Sequence, residues 1–220
     1  MLDKIKGAIF DMDGTLLDSI GMWSDIDQKF LGRRGIAVPE DYQQTVSAMK
    51  AEDIAVYTIE RFRLKGDTVQ GLMEEWSRMA AEEYRLTIPL KDYALEYVKK
   101  LHQQGIHIAL ATASSLDYAV PAMKRTGVLP FLSAVVSADH VSRGKGYPDI
   151  YLKAAEEMGL PAEECAVFED LEQGILGAKA GGFYSVAVYD EHAGDRVERL
   201  KEIADRFIYS FQELLAEDGC

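Results

Sequence analysis

The sequence predicts an α/β protein with a doubly wound, mostly parallel, Rossmann-like sheet and a block of helices inserted after the first strand. The first observation is a series of short β-rich runs, at residues 5–10, 106–112, 133–138, 165–168, 184–189 and 206–210. Helical patterns of roughly 10 to 15 residues separate most of them, which is typical of βαβ units. The second observation is that the runs are apolar almost throughout, as expected of parallel strands covered by helices on both faces.

A helical insertion interrupts this alternation between the first and second strands. From Ser19 to about Arg85 the sequence shows no convincing strand, and helical patterns occur instead at residues 23–31, 41–49, 52–64 and 69–84. Glycine and proline residues separate these patterns. We therefore expect a sheet domain formed by residues 1–17 and 86–220, and a helical domain formed by residues 18–85.

The composition and the net charge argue against a nucleic-acid-binding protein and against a membrane protein. A net charge of −13 argues against a nucleic-acid partner, because contacts to phosphates need clustered lysine and arginine residues. No run of about 18 apolar residues is present, so we expect no membrane span. The apolar segment at the N-terminus is too short for a signal peptide, and Cys165 and Cys220 make no disulfide framework. We expect a cytoplasmic protein, and nothing in the sequence demands more than a monomer.

Charged and polar side chains follow several of the predicted strands at or beyond their carboxyl ends. They are Asp11, Asp13, Thr112, Lys145, Glu169 and Asp170. In an open parallel sheet, ligands bind beyond the carboxyl ends of the strands, so we expect these side chains to share a site. Clustered carboxylates suit a hard cation such as Mg²⁺. The hydroxyl and ammonium groups suit a phosphate bound beside that cation.

The segments that carry these residues resemble the motifs of the haloacid dehalogenase superfamily of phosphotransferases. In chain order they are "DMDGTLLDS", "ALATASS", "GKGYPDIY" and "VFEDLEQGILGAKAGG", and the first is the most specific. Gly146 stands where the third motif usually has proline, and Leu171 stands where serine is common in the fourth. The resemblance covers essentially the whole chain. It is to the subfamily with a helical cap after the first strand, so the inserted helices would be the cap.

This resemblance implies a phosphatase that works through an aspartyl-phosphate. Asp11 would be the nucleophile that attacks phosphorus. Asp13 would protonate the leaving oxygen and later deprotonate the attacking water. Thr112, Ala113 and Lys145 would bind the phosphoryl group of a small phosphorylated metabolite, and Thr112 and Lys145 would offset charge in the transition state.

The resemblance also implies a magnesium site. The side chains of Asp11 and Asp170 would bind Mg²⁺, together with the backbone carbonyl of Asp13. Glu169 would be an additional ligand or a neighbour of the ligands. The metal and the lysine would then neutralise a pair of carboxylates whose function is to exchange phosphoryl groups and protons.

The cap would supply specificity for the substrate. We expect Trp23 and Trp76 to pack in the core of the cap, although Trp23 lies just past the first motif and is also a candidate substrate contact. Lys50, in "SAMKAED", lies where related caps have a loop that faces the substrate, and it is a second candidate.

Two other functions stay open as alternatives. A sugar phosphomutase of the β-phosphoglucomutase type typically has a histidine shortly after the first motif and an arginine in a cap loop. This chain has Trp23 and Ala51 there, which favours simple hydrolysis. A phospho-accepting signalling domain combines similar residues, but it is shorter, has no helical insertion and carries its acceptor on the third strand. A sugar phosphate, phosphoglycolate and a nucleoside monophosphate would all fit a small capped pocket.

Overall fold

Six parallel strands form one sheet in the computed structural model, which describes residues 5–46, 49, 51–191, 194 and 196–216. In chain order the strands are β1 (Gly7–Phe10), β2 (His107–Thr112), β3 (Ala134–Ser137), β4 (Cys165–Glu169), β5 (Tyr184–Val188) and β6 (Arg206–Ile208). Their order across the sheet is β3-β2-β1-β4-β5-β6, and every neighbouring pair is parallel. The predicted fold class is confirmed. The strand order reverses between β1 and β4, and a doubly wound sheet binds ligands beyond such a reversal.

The described helices divide between two compact units, Met1–Ile20 with Ile88–Cys220 and, separately, Gly21–Thr87. The unit Gly21–Thr87 contains α1 (Met22–Gly32), α2 (Tyr42–Val46), α3 (Ala51–Phe62) and α4 (Val69–Leu86). The sheet unit contains α5 (Ala94–Gln103), α6 (Leu116–Arg125), α7 (Asp149–Met158), α8 (Glu172–Ala180), α9 (Arg196–Ile203) and α10 (Gln212–Ala216). None of these helices combines the length and the apolar character that a membrane crossing requires.

Apolar side chains cover both faces of the sheet. On one face Ile9 packs in a buried cluster with residues of α7, among them Tyr151, whose ring is fully buried. On the other face Phe10 stacks on Phe168 with ring centroids 4.4 Å apart, and Tyr97 of α5 meets Phe10 edge-on at 6.3 Å. Because strand residues alternate between the faces, burial on both explains why the strands are apolar throughout.

The helical unit has an aromatic core of its own. Trp76 is 7% exposed and meets Phe30 with ring centroids 5.4 Å apart, so the expectation that Trp76 packs in this core is confirmed. Trp23 is 51% exposed, so the same expectation for Trp23 is wrong. Trp23 lies one residue after the start of α1, and the inward positions of that helix are taken by other residues, Phe30 among them.

A buried carboxyl group makes the stability of the helical unit dependent on pH. Asp27 of α1 is 8% exposed, and the side chain of Gln43 donates a hydrogen bond to it. Burial raises the pKa of Asp27 to about 6, and the bond from Gln43 offsets only part of this effect. In the unfolded chain the pKa of this carboxyl group is about 3.9. Above pH 6 Asp27 is ionised in the folded protein too, and its buried charge lowers the free energy of unfolding. Below about pH 4 the group is protonated in the folded protein and this penalty is absent.

We therefore expect Asp27→Asn to stabilise the protein at neutral pH, because it removes the buried negative charge. The amide oxygen still accepts the hydrogen bond from Gln43. The expected gain at pH 7.5 is about 1–2 kcal/mol in the free energy of unfolding, or a few degrees in Tm. At pH 4 the gain should vanish. Thermal unfolding at both pH values measures this, with the exposed Asp25→Asn on the same helix as the control. An equal gain at both pH values would contradict the explanation.

Candidate active site

The candidate site begins where β1 and β4 end side by side. The parallel register places Phe10 beside Phe168, and the N–H of the next residue, Asp11, donates to the carbonyl oxygen of Phe168 at 3.0 Å. Glu169 is the last residue of β4 and Asp170 follows it, so both lie at the same edge of the sheet as Asp11. All three acidic residues are buried, and each offers an oxygen within 4.8 Å of those of the other two.

A tight turn after β1 packs against Asp170. Gly14 has a φ of +80°, and a Cβ added there would overlap the Asp170 carboxylate, so this position requires glycine for both reasons. The hydroxyl of the fully buried Thr15 lies 3.5 Å from Asp11 Oδ2 and 3.4 Å from Asp170 Oδ1. The turn therefore places one hydroxyl group against both carboxylates that the sequence predicts as metal ligands.

Lys145 connects the acidic residues. Its ammonium group forms an ion pair with Asp11 and a second one with Glu169, whose Oε1 is 2.6 Å from Nζ. A Cβ added at Gly177 of α8 would overlap the carbonyl oxygen of Lys145, so the backbone around the lysine rests directly on that helix. The hydroxyl of Tyr151, on α7, donates to the same oxygen of Glu169 at 2.8 Å.

Two serine hydroxyls donate hydrogen bonds to the carboxylate of Asp13. Ser19 Oγ donates to Oδ1 at 2.8 Å, and Ser114 Oγ donates to Oδ2 at 2.7 Å. Ser114 also donates its N–H to the Thr112 hydroxyl at 3.0 Å, which ties the end of β2 to the turn after β1. Ala113, between them, is exposed. Contacts thus join Asp11, Lys145 and Glu169, with Thr15 between Asp11 and Asp170, and a second set of contacts joins Asp13 to Thr112 through Ser114.

The two other predicted substrate contacts stay predictions. Trp23 belongs to the helical unit, on α1, and Lys50 lies outside the described residues. Four hydroxyl groups that contact the site residues were not identified from the sequence, namely those of Thr15, Ser19, Ser114 and Tyr151. Ser19 stands within the first motif and Ser114 within the second, and Tyr151 closes the segment "GKGYPDIY" of the third motif. Thr15 also belongs to the first motif, and none of the motifs indicates what these four side chains contact.

Comparison with known proteins identifies the family. A family model described as haloacid dehalogenase-like hydrolase matches residues 5–182. The chain is a haloacid dehalogenase-like hydrolase. It is 31% identical to Hexitol phosphatase A of Escherichia coli over 213 residues, which cover 96% of this chain and 94% of that protein. It is 29% identical to Validoxylamine A 7'-phosphate phosphatase of Streptomyces hygroscopicus over 187 residues, or 85% of this chain and 87% of that protein.

A solved structure from Thermotoga maritima, provisionally assigned as a β-phosphoglucomutase, has the same fold with a TM-score of 0.84. The two chains are 23% identical, and the match covers 98% of this chain and 99% of that one. The predicted family is therefore confirmed. Because the named relatives are phosphatases, the predicted enzyme class, a phosphoric monoester hydrolase of this family, is confirmed too.

The electrostatics of the hydrolase site show an excess of negative charge. Burial raises the pKa of Asp170 to about 7, with Glu169 adding to the shift and Lys145 opposing it. Burial, followed by the charge of Glu169, holds the pKa of Asp11 well above its ordinary range. Burial lowers the pKa of Lys145, but the ion pairs with Asp11 and Glu169 outweigh it and raise that pKa.

One ammonium group faces three buried carboxylates, so full ionisation leaves two negative charges uncompensated. A divalent cation would balance that charge, and carboxylate oxygens are the ligands that Mg²⁺ prefers. The donor set therefore fits the metal that the family uses.

Proposed function

We propose that this hydrolase is a Mg²⁺-dependent phosphatase acting on a small phosphorylated sugar or sugar alcohol through a phosphorylated Asp11. The observation that carries the proposal is the arrangement at the end of β1. Asp11 is buried against Lys145 and close to Asp170, while Asp13, two residues on, is held separately by hydroxyl groups. One carboxylate is thus placed beside positive charge for attack on phosphorus, and the other is available for proton transfer.

In the first half of the reaction, an oxygen of Asp11 attacks phosphorus and the bond from phosphorus to the leaving oxygen breaks. Asp13 gives its proton to that oxygen, so the product leaves as an alcohol. In the second half, Asp13 takes a proton from water, which attacks the phosphorylated Asp11 and releases inorganic phosphate. The ammonium group of Lys145 and the hydroxyl of Thr112 bind the phosphoryl oxygens, with the exposed Ala113 beside them, and offset their charge in the transition state.

In this proposal Asp11 and Asp170 would hold Mg²⁺ by their side chains and Asp13 by its backbone carbonyl, with Glu169 as an additional ligand or a neighbour of the ligands. The metal supplies charge neutralisation on the phosphoryl oxygens during transfer. The contact of the Thr15 hydroxyl with both Asp11 and Asp170 supports their assignment as a pair.

We also propose that Gly21–Thr87 is the cap domain of this hydrolase, and that Trp23 and Lys50 contact the substrate. The exposure of Trp23, at 51%, supports its part in this, because a substrate can contact the exposed part of the indole. The substrate class rests on the relatives, two of which are named for hexitol and fructose 1-phosphate hydrolysis at 31% and 30% identity.

A panel of phosphorylated metabolites tests the function. We expect phosphate release from hexose and hexitol monophosphates to depend on Mg²⁺ and to stop with EDTA. We expect kcat/KM for the best of them to exceed that for nucleoside monophosphates and phosphoglycolate by about tenfold or more. β-Glucose 1-phosphate is included, with the product analysed for glucose 6-phosphate. Formation of this isomer without phosphate release would show a mutase and would overturn the proposal.

A further inference from the structure

We propose that Arg143 is a positioning residue, whose guanidinium group closes the loop that carries Lys145 and thereby holds the lysine in place for the phosphoryl group. This lysine loop, residues 143–148, leads into the start of α7. The inference rests on the proposed phosphatase function, because Arg143 acts on the reaction only through Lys145. Arg143 itself is exposed and is not part of the cluster of buried carboxylates.

The first argument is that glycine residues flank the lysine on both sides. Gly144 and Gly146 have no left-handed φ, and a Cβ added at either would meet no atom within 4 Å. Neither backbone conformation nor close packing therefore requires glycine at these positions. Because glycine loses more conformational freedom on folding than any other residue, contacts with other groups must supply the order that this backbone lacks.

The second argument is that the turn around the lysine is supported on its inner side. The N–H of Tyr147 donates to the carbonyl oxygen of Gly144 at 3.0 Å, which closes a β-turn. Lys145 and Gly146 are the two central residues of that turn. The carbonyl oxygens of Lys145 and Tyr147 both lie against Gly177 of α8. The helix therefore supports the backbone of the lysine loop from within the protein.

The third argument is that Arg143 holds the outer side of the loop. Its Nε donates to Asp149 Oδ1 at 2.9 Å and its Nη2 donates to Oδ2 at 2.7 Å, so the pair is bidentate. The same guanidinium group lies over the ring of Tyr147, 4.4 Å from the centroid. Asp149 is the first residue of α7, so Arg143 joins the beginning of the loop to the helix that follows it. Exposed ion pairs contribute little to stability, but a bidentate pair fixes geometry.

The contacts of Arg143 involve none of the acidic residues that are candidates for binding Mg²⁺. We therefore expect them to persist when metal and substrate bind. Misplacement of a catalytic group by about 1 Å can cost about 10²-fold in rate, and a loop that fluctuates keeps its lysine correctly placed for only part of the time. Loss of the arginine should therefore weaken phosphoryl binding and catalysis while the global stability stays nearly unchanged.

Arg143→Lys tests the geometry separately from the charge. Lysine keeps the positive charge, but it cannot form the bidentate pair with Asp149 or lie flat on Tyr147. We expect Arg143→Lys and Arg143→Gln each to lower kcat/KM by about five- to tenfold. The affinity for orthovanadate, a mimic of the transferring phosphoryl group, should fall equally when Mg²⁺ is present. Lys6→Gln removes the charge from another exposed ion pair and is the control, which should change neither value. Loss in Arg143→Gln alone would show that only the charge matters and would overturn the proposal.

Stiffening the backbone of the lysine loop should replace what Arg143 supplies. Gly144→Ala combined with Gly146→Ala fits the observed backbone and reduces its freedom. In this double-alanine background, Arg143→Gln should cost less than about twofold in kcat/KM and in vanadate affinity. An equal loss in both backgrounds would mean that Arg143 does not act through the order of the loop, and the proposal would fail.

Hydrogen exchange measures the order of the loop directly. Amide exchange in a peptide covering residues 142–149 should be about fivefold faster in Arg143→Gln than in the unmodified protein, and the double-alanine background should reverse most of this change. Unchanged exchange in Arg143→Gln would overturn the proposal, as would faster exchange with unchanged vanadate affinity. Exchange and vanadate binding are measured without turnover, so they test this inference even if the substrate panel fails.

Discussion

Replacing Asp11 by Asn is expected to reduce kcat at least about 10⁴-fold while the protein stays folded, as loss of a nucleophile does in other enzymes. The amide has nearly the same shape and still accepts a hydrogen bond from Lys145, but it cannot attack phosphorus. The buried carboxylates at this site repel one another, and burial already holds the pKa of Asp11 high, so the neutral amide should not destabilise the fold. Phosphate release at saturating Mg²⁺ and thermal unfolding measure the two expectations.

The result is informative only beside a matched substitution. Glu198→Gln makes the same change from carboxylate to amide on the exposed surface of α9, and its activity and Tm should equal those of the unmodified protein. If Asp11→Asn kept more than about 1% of the activity with a normal Tm, the nucleophile would have to be another residue, and the aspartyl-phosphate would be lost from the mechanism.

The sheet could be predicted from the sequence because buried parallel strands have a plain apolar signature, and each predicted run contains or largely overlaps a strand. Helix α6 could not be predicted from the sequence, because Pro121 lies inside it and proline ordinarily ends a helix. In the folded chain α6 buries Ala119, Ala122 and Met123, and this packing outweighs the loss of one backbone hydrogen bond. Local preference is a weak guide where tertiary packing opposes it.

The strand-end residues could be predicted because a parallel sheet brings the carboxyl ends of neighbouring strands to one edge. The side chains that contact these strand-end residues could not be predicted. Ser114 reaches Asp13 across 101 positions of sequence, and Tyr151 reaches Glu169 across 18. A tyrosine in the apolar stripe of a helix is predicted to be a core residue, and Tyr151 is one. No sequence pattern indicates which group its hydroxyl contacts. For Trp23 the large apolar side chain predicts a core position, yet the residue is 51% exposed on α1.

Replacing Asp13 by Ala is expected to slow the reaction by an amount that depends on the leaving group. An alkoxide leaves poorly without a proton, so kcat/KM for sugar phosphates should fall by about 10³-fold, within the range that general acid catalysis supplies. p-Nitrophenolate leaves without protonation, so kcat/KM for p-nitrophenyl phosphate should fall by only about tenfold. Two serine hydroxyls fix the orientation of the Asp13 carboxylate, which supports a task for it distinct from that of Asp11.

The same variant tests the second half of the reaction. Attack of water on the phosphorylated Asp11 also needs Asp13, now as a base, and this step is the same for every substrate. With p-nitrophenyl phosphate the Asp13→Ala protein should therefore release a burst of p-nitrophenol close to one equivalent of enzyme and then turn over slowly, because the phosphorylated enzyme accumulates. Stopped-flow absorbance measures the burst. A uniform loss of kcat/KM across leaving groups, with no burst, would mean that Asp13 supports the site without moving a proton, and the acid–base assignment would fail.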